Sequence, residues 1–156
     1  MELIKKILVP VDFSDYSRNA LTYAIKFADS IEAEICTVYV VEPLIFPADF
    51  SMGQISIPAM DVETADRAKD ELSSFVTSVA GSENKILNYI KTGKPFVEIN
   101  ETAAEIDVDL IIIATHGHTG VEHLFFGGTA EKVVRKAPCP VMTVRIPVKG
   151  FKYKPK

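Results

Sequence analysis

The sequence predicts a doubly wound, parallel α/β domain of five strands, with helices on both faces of the sheet. Three observations carry this. Short, nearly continuous aliphatic runs recur along the chain, the mark of strands buried on both faces. Between them lie longer stretches with apolar residues at helical spacing. The two patterns alternate through the whole chain, and alternation of this kind demands right-handed crossovers and a parallel sheet. With 156 residues, 47% of them hydrophobic and 24% charged, the chain fits one soluble domain with its own core. The composition excludes a disordered chain, a collagen-like repeat and a disulfide miniprotein.

The elements follow in order. Residues 3–11, L-I-K-K-I-L-V-P-V, end in an aliphatic, β-branched run and form the first strand. Ser14 is a suitable N-cap for the helix behind it, whose apolar positions are Ala20, Leu21, Ala24, Ile25, Ala28 and Ile31. Residues 35–41, I-C-T-V-Y-V-V, are a second buried strand. A proline-bearing stretch, 43–60, then interrupts regular structure. It carries Phe46, Phe50, Met52, Ile55, Ile57 and Met60, too many large apolar groups for a monomer to expose, so a dimer contact ranks first for it, before a lid over a ligand or an insertion packed on its own subunit.

A second helix starts near Val62, with Ala65, Ala68, Leu72, Phe75, Val76 and Val79 on one stripe and Gly81 at its end. Residues 86–91 alternate weakly and read as a strand nearer an edge. Gly93, Lys94 and Pro95 open a short helix with Phe96, Ile99, Ala103 and Ile106 inward. Residues 108–114, V-D-L-I-I-I-A, form the strongest buried strand. A helix over about 129–136 turns Ala130, Val133, Val134 and Ala137 inward, Pro138 and Pro140 stop it, and V-M-T-V at 141–144 is the last strand. The domain spans 1–146, and 147–156 is a basic tail carrying Lys149, Lys152, Lys154 and Lys156, read as a solvated terminus.

The formal charge is -4, which disfavours nucleic acid or an anionic membrane as a general partner. No apolar run reaches the length of a membrane span and the N-terminus does not read as a signal peptide, so the expected location is the cytoplasm. Cys36 and Cys139 sit in apolar runs and read as buried, inert core residues.

Chemistry is expected beyond the carboxyl ends of the strands. Two segments lie there: Pro10, Val11 and Asp12 through Ser14, and the stretch from Ala114 to Thr129. The second holds Gly117, Gly120, Gly127 and Gly128, half of the chain's 8 glycines. Glycines let backbone approach a ligand, and Gly127, Gly128 and Thr129 begin a helix whose free N–H groups favour an anion. Together they read as a phosphate cradle, set against a loop that needs glycine only for its turns. Neither the Walker pattern nor G-x-G-x-x-G occurs. His116, His118 and His123 fall within eight residues. A zinc site is one reading; with no cysteine nearby, His118 beside a phosphate is the favoured one.

V-P-V-D-F-S at 9–14, V-Y-V-V at 38–41 and A-T-H-G-H-T-G-V-E-H-L-F-F-G-G-T-A-E-K-V-V-R-K-A-P-C-P-V at 114–141 resemble the universal stress protein family. The resemblance covers essentially the whole domain. It implies a Rossmann-like sheet of the adenine nucleotide alpha hydrolase type, with strand order 3-2-1-4-5, and a homodimer through the last strand, Val141, Met142, Thr143 and Val144. The family's ATP-binding branch carries G-x-x-G, nine residues, then G-[ST]. Here the spacing is met between Gly117 and Gly127, while Ala114 replaces the first glycine and Gly128 the Ser or Thr, with Thr129 one position later.

What the resemblance implies for the site is a bound ATP, ADP or AMP, with Mg2+ or Mn2+ riding on the phosphates. Asp12 would take the ribose hydroxyls, Val40 would meet adenine with its backbone, and Gly117, Gly127, Gly128 and Thr129 would hold the phosphates. Asp12 also has a plain reading as a helix-capping residue. With no Lys or Arg in 114–129, binding with slow hydrolysis at most is expected over efficient turnover. The rivals are an ATP hydrolase or transferase on the same sheet, and a nucleotide-free dimer acting only through protein contacts.

Overall fold

The computed structural model describes residues 4–43, 62–116 and 127–146. Nine elements alternate: β1 (Lys6–Pro10), α1 (Asp15–Ile31), β2 (Glu34–Val41), α2 (Val62–Ala80), β3 (Leu87–Thr92), α3 (Pro95–Glu105), β4 (Leu110–Ala114), α4 (Gly128–Lys136) and β5 (Val141–Val144). All strand pairs are parallel, as the sequence predicts, and the order is β3-β2-β1-β4-β5, as the family resemblance implies.

The register explains why β1 and β4 are aliphatic without interruption. Ile7, Val9, Val11, Leu110 and Ile112 face one side of the sheet and pack with Leu21, Ala24 and Ala28 of α1 and Leu72, Phe75 and Val76 of α2. Leu8, Cys36, Val38, Ile111 and Ile113 face the other and pack with Ile99 and Ala103 of α3 and Ala130 and Val133 of α4. Strands at the centre therefore have no polar face, whereas the edge strand β3 is only half-buried. Ile7, Leu8, Leu21, Leu72, Ile111 and Ile112 have no more than a trace of accessible surface. Fully burying one such side chain stabilises the fold by roughly 1.5–3 kcal/mol.

Local signals place the helix ends. The Ser14 side chain accepts the Ser17 N–H at 3.1 Å and starts α1. Gly81, at φ 87°, ends α2 and its N–H reaches the Thr77 carbonyl at 2.8 Å. Pro95 occupies the first turn of α3, where its missing N–H costs nothing.

Three sequence expectations about the core need correction. Val134 is 46% exposed, because α4 rests on the sheet through a narrow stripe of Ala130, Val133 and Ala137. Ile31 is 37% exposed as the last residue of α1. Cys139 is half-buried in the connection before β5, while Cys36 is fully in the core. Burial pushes both thiols above the ordinary range. The stretch 43–60, apart from Pro43, and the tail 147–156 lie outside the described residues.

Candidate functional site

The strand order reverses between β1 and β4. The crossovers from β1 run to β2 and β3 on one side, and the crossover from β4 runs to β5 on the other. The crevice between their carboxyl ends is where open parallel sheets take ligands. A cavity of about 460 Å3 opens there.

Pro10, Val11, Asp12, Val40, Ala114, Gly127, Gly128 and Thr129 all line it. Gly117 and His118, also singled out from the sequence, lie outside the described residues, as does His123. His116 is on the wall, with Nδ1 at 3.0 Å from Thr115 Oγ1 and its ring 5.4 Å from that of Tyr16.

Asp12 is held by the turn that follows β1. Its Oδ1 accepts the Ser14 N–H at 3.1 Å and the Ser14 hydroxyl, and the Ser14 oxygen in turn accepts the Ser17 N–H. Asp12 therefore does not cap the helix itself, whose N-cap is Ser14; it orders that serine from a place on the cavity wall. Between Asp12 and Ser14 the chain passes through Phe13 at φ 64°, a left-handed conformation that costs a non-glycine residue roughly 1–2 kcal/mol. Aromatic packing offsets that cost: the Phe13 ring lies 4.5 Å from Tyr39 and 5.5 Å from Phe75.

Val40 offers its backbone edge to the cavity. The Val11 N–H donates to the Val38 carbonyl at 2.9 Å, so Val38 faces β1, and the Gly93 N–H donates to the Val41 carbonyl at 3.0 Å, so Val41 faces β3. Alternation along the strand turns the Val40 N–H and C=O toward the β1 side. β1 ends at Pro10, opposite Val38. The Val40 edge therefore runs past the end of its neighbour and borders the cavity.

The far wall is the start of α4. Gly127 is its N-cap, with extended backbone and an N–H that donates to the Thr115 carbonyl at 2.7 Å. The first-turn N–H groups of Gly128, Thr129 and Ala130 have no acceptor within the helix, and the N-cap glycine has no side chain to offer them one. Among the described residues nothing demands a glycine at either position. Both have negative φ; a Cβ on Gly127 would meet nothing nearer than the Thr115 carbonyl oxygen at 3.4 Å, and a Cβ on Gly128 meets nothing within 4 Å. What their bareness preserves is open space in front of the free amides, which helix polarity makes attractive to an anion.

The remaining lining includes residues the sequence reading assigned elsewhere. Pro95 and Ile99 were expected as helix start and core face; with Val38 and Ile113 they make an apolar part of the wall. Tyr39 and Glu42 were not singled out, and no local pattern marks them, because they reach the cavity only through where β2 ends. Burial first, then the carboxylates of Glu71, Asp12 and Glu42, push the Tyr39 phenol above its ordinary range, so it stays neutral. Among the described residues, no group of three or more His, Cys, Asp and Glu could hold a metal ion, and no helix is long and apolar enough to cross a membrane.

Comparison with known proteins identifies the family and the fold. The model of the universal stress protein family matches residues 3–145. A universal stress protein of Methanocaldococcus jannaschii is 36% identical over 151 residues, 94% of this chain and 85% of the relative. Among solved structures, the universal stress protein UspA of Lactobacillus plantarum superposes with a TM-score of 0.70 at 28% identity, over 93% of this chain and 100% of its own. The universal stress protein of Archaeoglobus fulgidus in complex with dAMP shares the fold, with a TM-score of 0.63 at 22% identity, over 91% of this chain and 98% of its own.

Proposed function

This chain belongs to the universal stress protein family, and on that premise we propose that the cavity between β1 and β4 binds an adenine nucleotide, ATP, ADP or AMP, in a homodimeric, cytoplasmic stress-response or regulatory module. The observation that carries the proposal is the convergence, around one cavity, of an unshared strand edge at Val40, a carboxylate at Asp12 and the bare amide end of α4. The Val40 C=O and N–H are an acceptor and a donor side by side. Adenine offers the complementary pair, its exocyclic N–H and a ring nitrogen, whereas guanine offers a carbonyl and a ring N–H in the opposite sense. Pro95, Ile99, Val38 and Ile113 supply apolar surface for the base. Asp12 accepts ribose hydroxyls, and Gly117, Gly127, Gly128 and Thr129 surround the phosphates, with His118 beside them. The dAMP complex of the Archaeoglobus fulgidus relative supports the same ligand class.

Any Mg2+ or Mn2+ is carried by the nucleotide's own oxygens, since phosphate oxygens suit these hard cations and Asp12 and Glu42 are the only carboxylates on the described wall. Phosphoryl transfer needs cationic groups on the moving phosphoryl. The described ionisable groups of the wall are Asp12, Tyr39, Glu42 and His116, which supports binding with slow hydrolysis at most. The homodimer forms through Val141, Met142, Thr143 and Val144. The Pro140 and Val144 carbonyls bond to β4, so the alternate residues Val141 and Thr143 turn their polar backbone outward, where a second copy can pair with them.

The test is equilibrium dialysis of the purified chain against ATP, ADP, AMP, adenosine and GTP, with phosphate release followed in parallel. Saturable binding of the adenine compounds at one site per chain, no comparable binding of GTP and no sustained phosphate release are expected. Failure of every adenine compound to bind removes the proposal, and sustained turnover would move the protein to the hydrolase class.

A further inference from the structure

A left-handed phenylalanine sits directly behind the carboxylate that meets the ribose, and we infer that Phe13 is a positioning residue that holds Asp12 for recognition of the ribose hydroxyls. This rests on the adenine-nucleotide reading and deepens it. The turn after β1 closes through Phe13. Across it Asp12 Oδ1 accepts the Ser14 N–H at 3.1 Å, and the Asp12 N–H donates to Ser17 Oγ at 3.4 Å. A side-chain turn of this kind fixes the carboxylate only while the residue inside it keeps one backbone conformation. Here that conformation is φ 64°. Glycine adopts it freely, whereas a phenylalanine pays a steric penalty between its Cβ and the backbone.

A strained backbone persists only where its surroundings enforce it. The enforcing contacts are made by the Phe13 ring. It lies 4.5 Å from the Tyr39 ring, tilted at 54°, and 5.5 Å from Phe75, edge to face at 75°. Phe75 is itself fixed: it is buried in the core on α2, with the Arg18 guanidinium 4.6 Å over its ring, and Arg18 Nη1 donates to Ser78 Oγ at 2.9 Å. The brace therefore runs from β2 and α2 to the tip of β1. A backbone released from it relaxes to negative φ, carries the Ser14 N–H away from Oδ1 and lets the carboxylate swing.

The ring acts through Asp12 and not on the ligand. Asp12 lines the cavity and Phe13 does not. Phe13 packs on the α1 and α2 side of the sheet, while Val38, Ile99 and Ala130 of the cavity wall belong to the α3 and α4 side.

The experiment is calorimetric titration of the full chain, and of Phe13→Gly, Phe13→Ala and Phe13→Tyr, with AMP and with 2′,3′-dideoxy-AMP, which lacks the hydroxyls that Asp12 accepts. The phosphate is common to both ligands, so its contacts cancel in the ratio. Circular dichroism reports the fold, and Phe13→Gly removes the ring where glycine takes the backbone without strain, so it stays informative even where Phe13→Ala unfolds. The parent is expected to prefer AMP by about tenfold or more, the effect of hydrogen bonds to a charged acceptor. In Phe13→Gly that preference should shrink below about threefold while dideoxy-AMP binds as in the parent, and Phe13→Tyr should keep the parent's ratio. An unchanged ratio in Phe13→Gly overturns the inference and leaves the adenine site intact. An equal loss for both ligands also overturns it, since the ring would then support the pocket as a whole. A parent that binds the two ligands equally removes the ribose role of Asp12 and this inference with it, and a parent that binds neither removes the adenine-nucleotide reading too.

Discussion

Gly128→Val separates a glycine kept for a ligand from a glycine kept for the fold. Gly128 opens α4, is exposed and has room for a Cβ with no atom within 4 Å. In the empty protein the added Cβ meets no described atom. Valine is a better helix former than glycine by about 0.3 kcal/mol, which for a chain of this size raises Tm by about 1 °C. In the complex the isopropyl group occupies space in front of the amides of Gly128, Thr129 and Ala130. A hydrogen bond to a charged group contributes about 1.5–3 kcal/mol. Losing one or two of these amide contacts costs about 3 kcal/mol, on the order of a hundredfold in Kd. Stability and affinity thus move in opposite directions. The assay pairs thermal unfolding without ligand with calorimetric titration of AMP, and adenosine serves as the control whose affinity changes less than threefold. A variant that binds AMP as well as the parent would falsify the phosphate assignment. A variant that loses several degrees of Tm would show instead that the glycine serves the fold.

Asp12→Asn keeps an acceptor for the Ser14 N–H, so Tm should stay within about 1 °C, while replacing a charged acceptor by a neutral one weakens AMP about tenfold; equal affinity in parent and variant argues against ribose recognition by this carboxylate. Thr143→Pro removes a backbone donor on the outer side of β5 without touching the Pro140 and Val144 bonds to β4. Light scattering should then report a monomer with unchanged circular dichroism, and a persisting dimer places the interface elsewhere. Asp109 accepts the Lys5 and Lys6 N–H groups at 2.8 and 2.9 Å, and these bonds hold its carboxyl below the usual range. Its contribution to stability is therefore complete above the ordinary carboxyl pKa of about 3.9 and is lost as pH falls through the lower folded value. Asp109→Asn should lower Tm at pH 7 by an amount that shrinks as the pH falls below about 4; a gap that is the same at pH 7 and pH 2 contradicts the assignment.

The amino-acid sequence on its own determined the alternation of strands and helices, the central placement of β1 and β4, and the caps at Ser14, Gly81 and Pro95. These are local matters: a strand buried on both faces must be aliphatic throughout, and a helix end must satisfy its own N–H and C=O groups. Asp12, Gly127 and Gly128 were legible for the same reason, since a strand end and a helix start announce themselves in a few residues. The misplacement of Val134 marks the limit of that reading, because helical spacing gives the apolar stripe but not how much of it the edge of the sheet covers. Only the tertiary structure decided what Tyr39, Glu42, Pro95 and Ile99 do. Their place on the wall follows from β2 running past the end of β1 and from α3 packing beside it. Likewise, the Val40 edge is exposed because a neighbouring strand stops at Pro10. Partnerless backbone of that kind depends on the lengths of two strands that are adjacent in space and 24 residues or more apart in the chain, so no window of sequence around Val40 contains it.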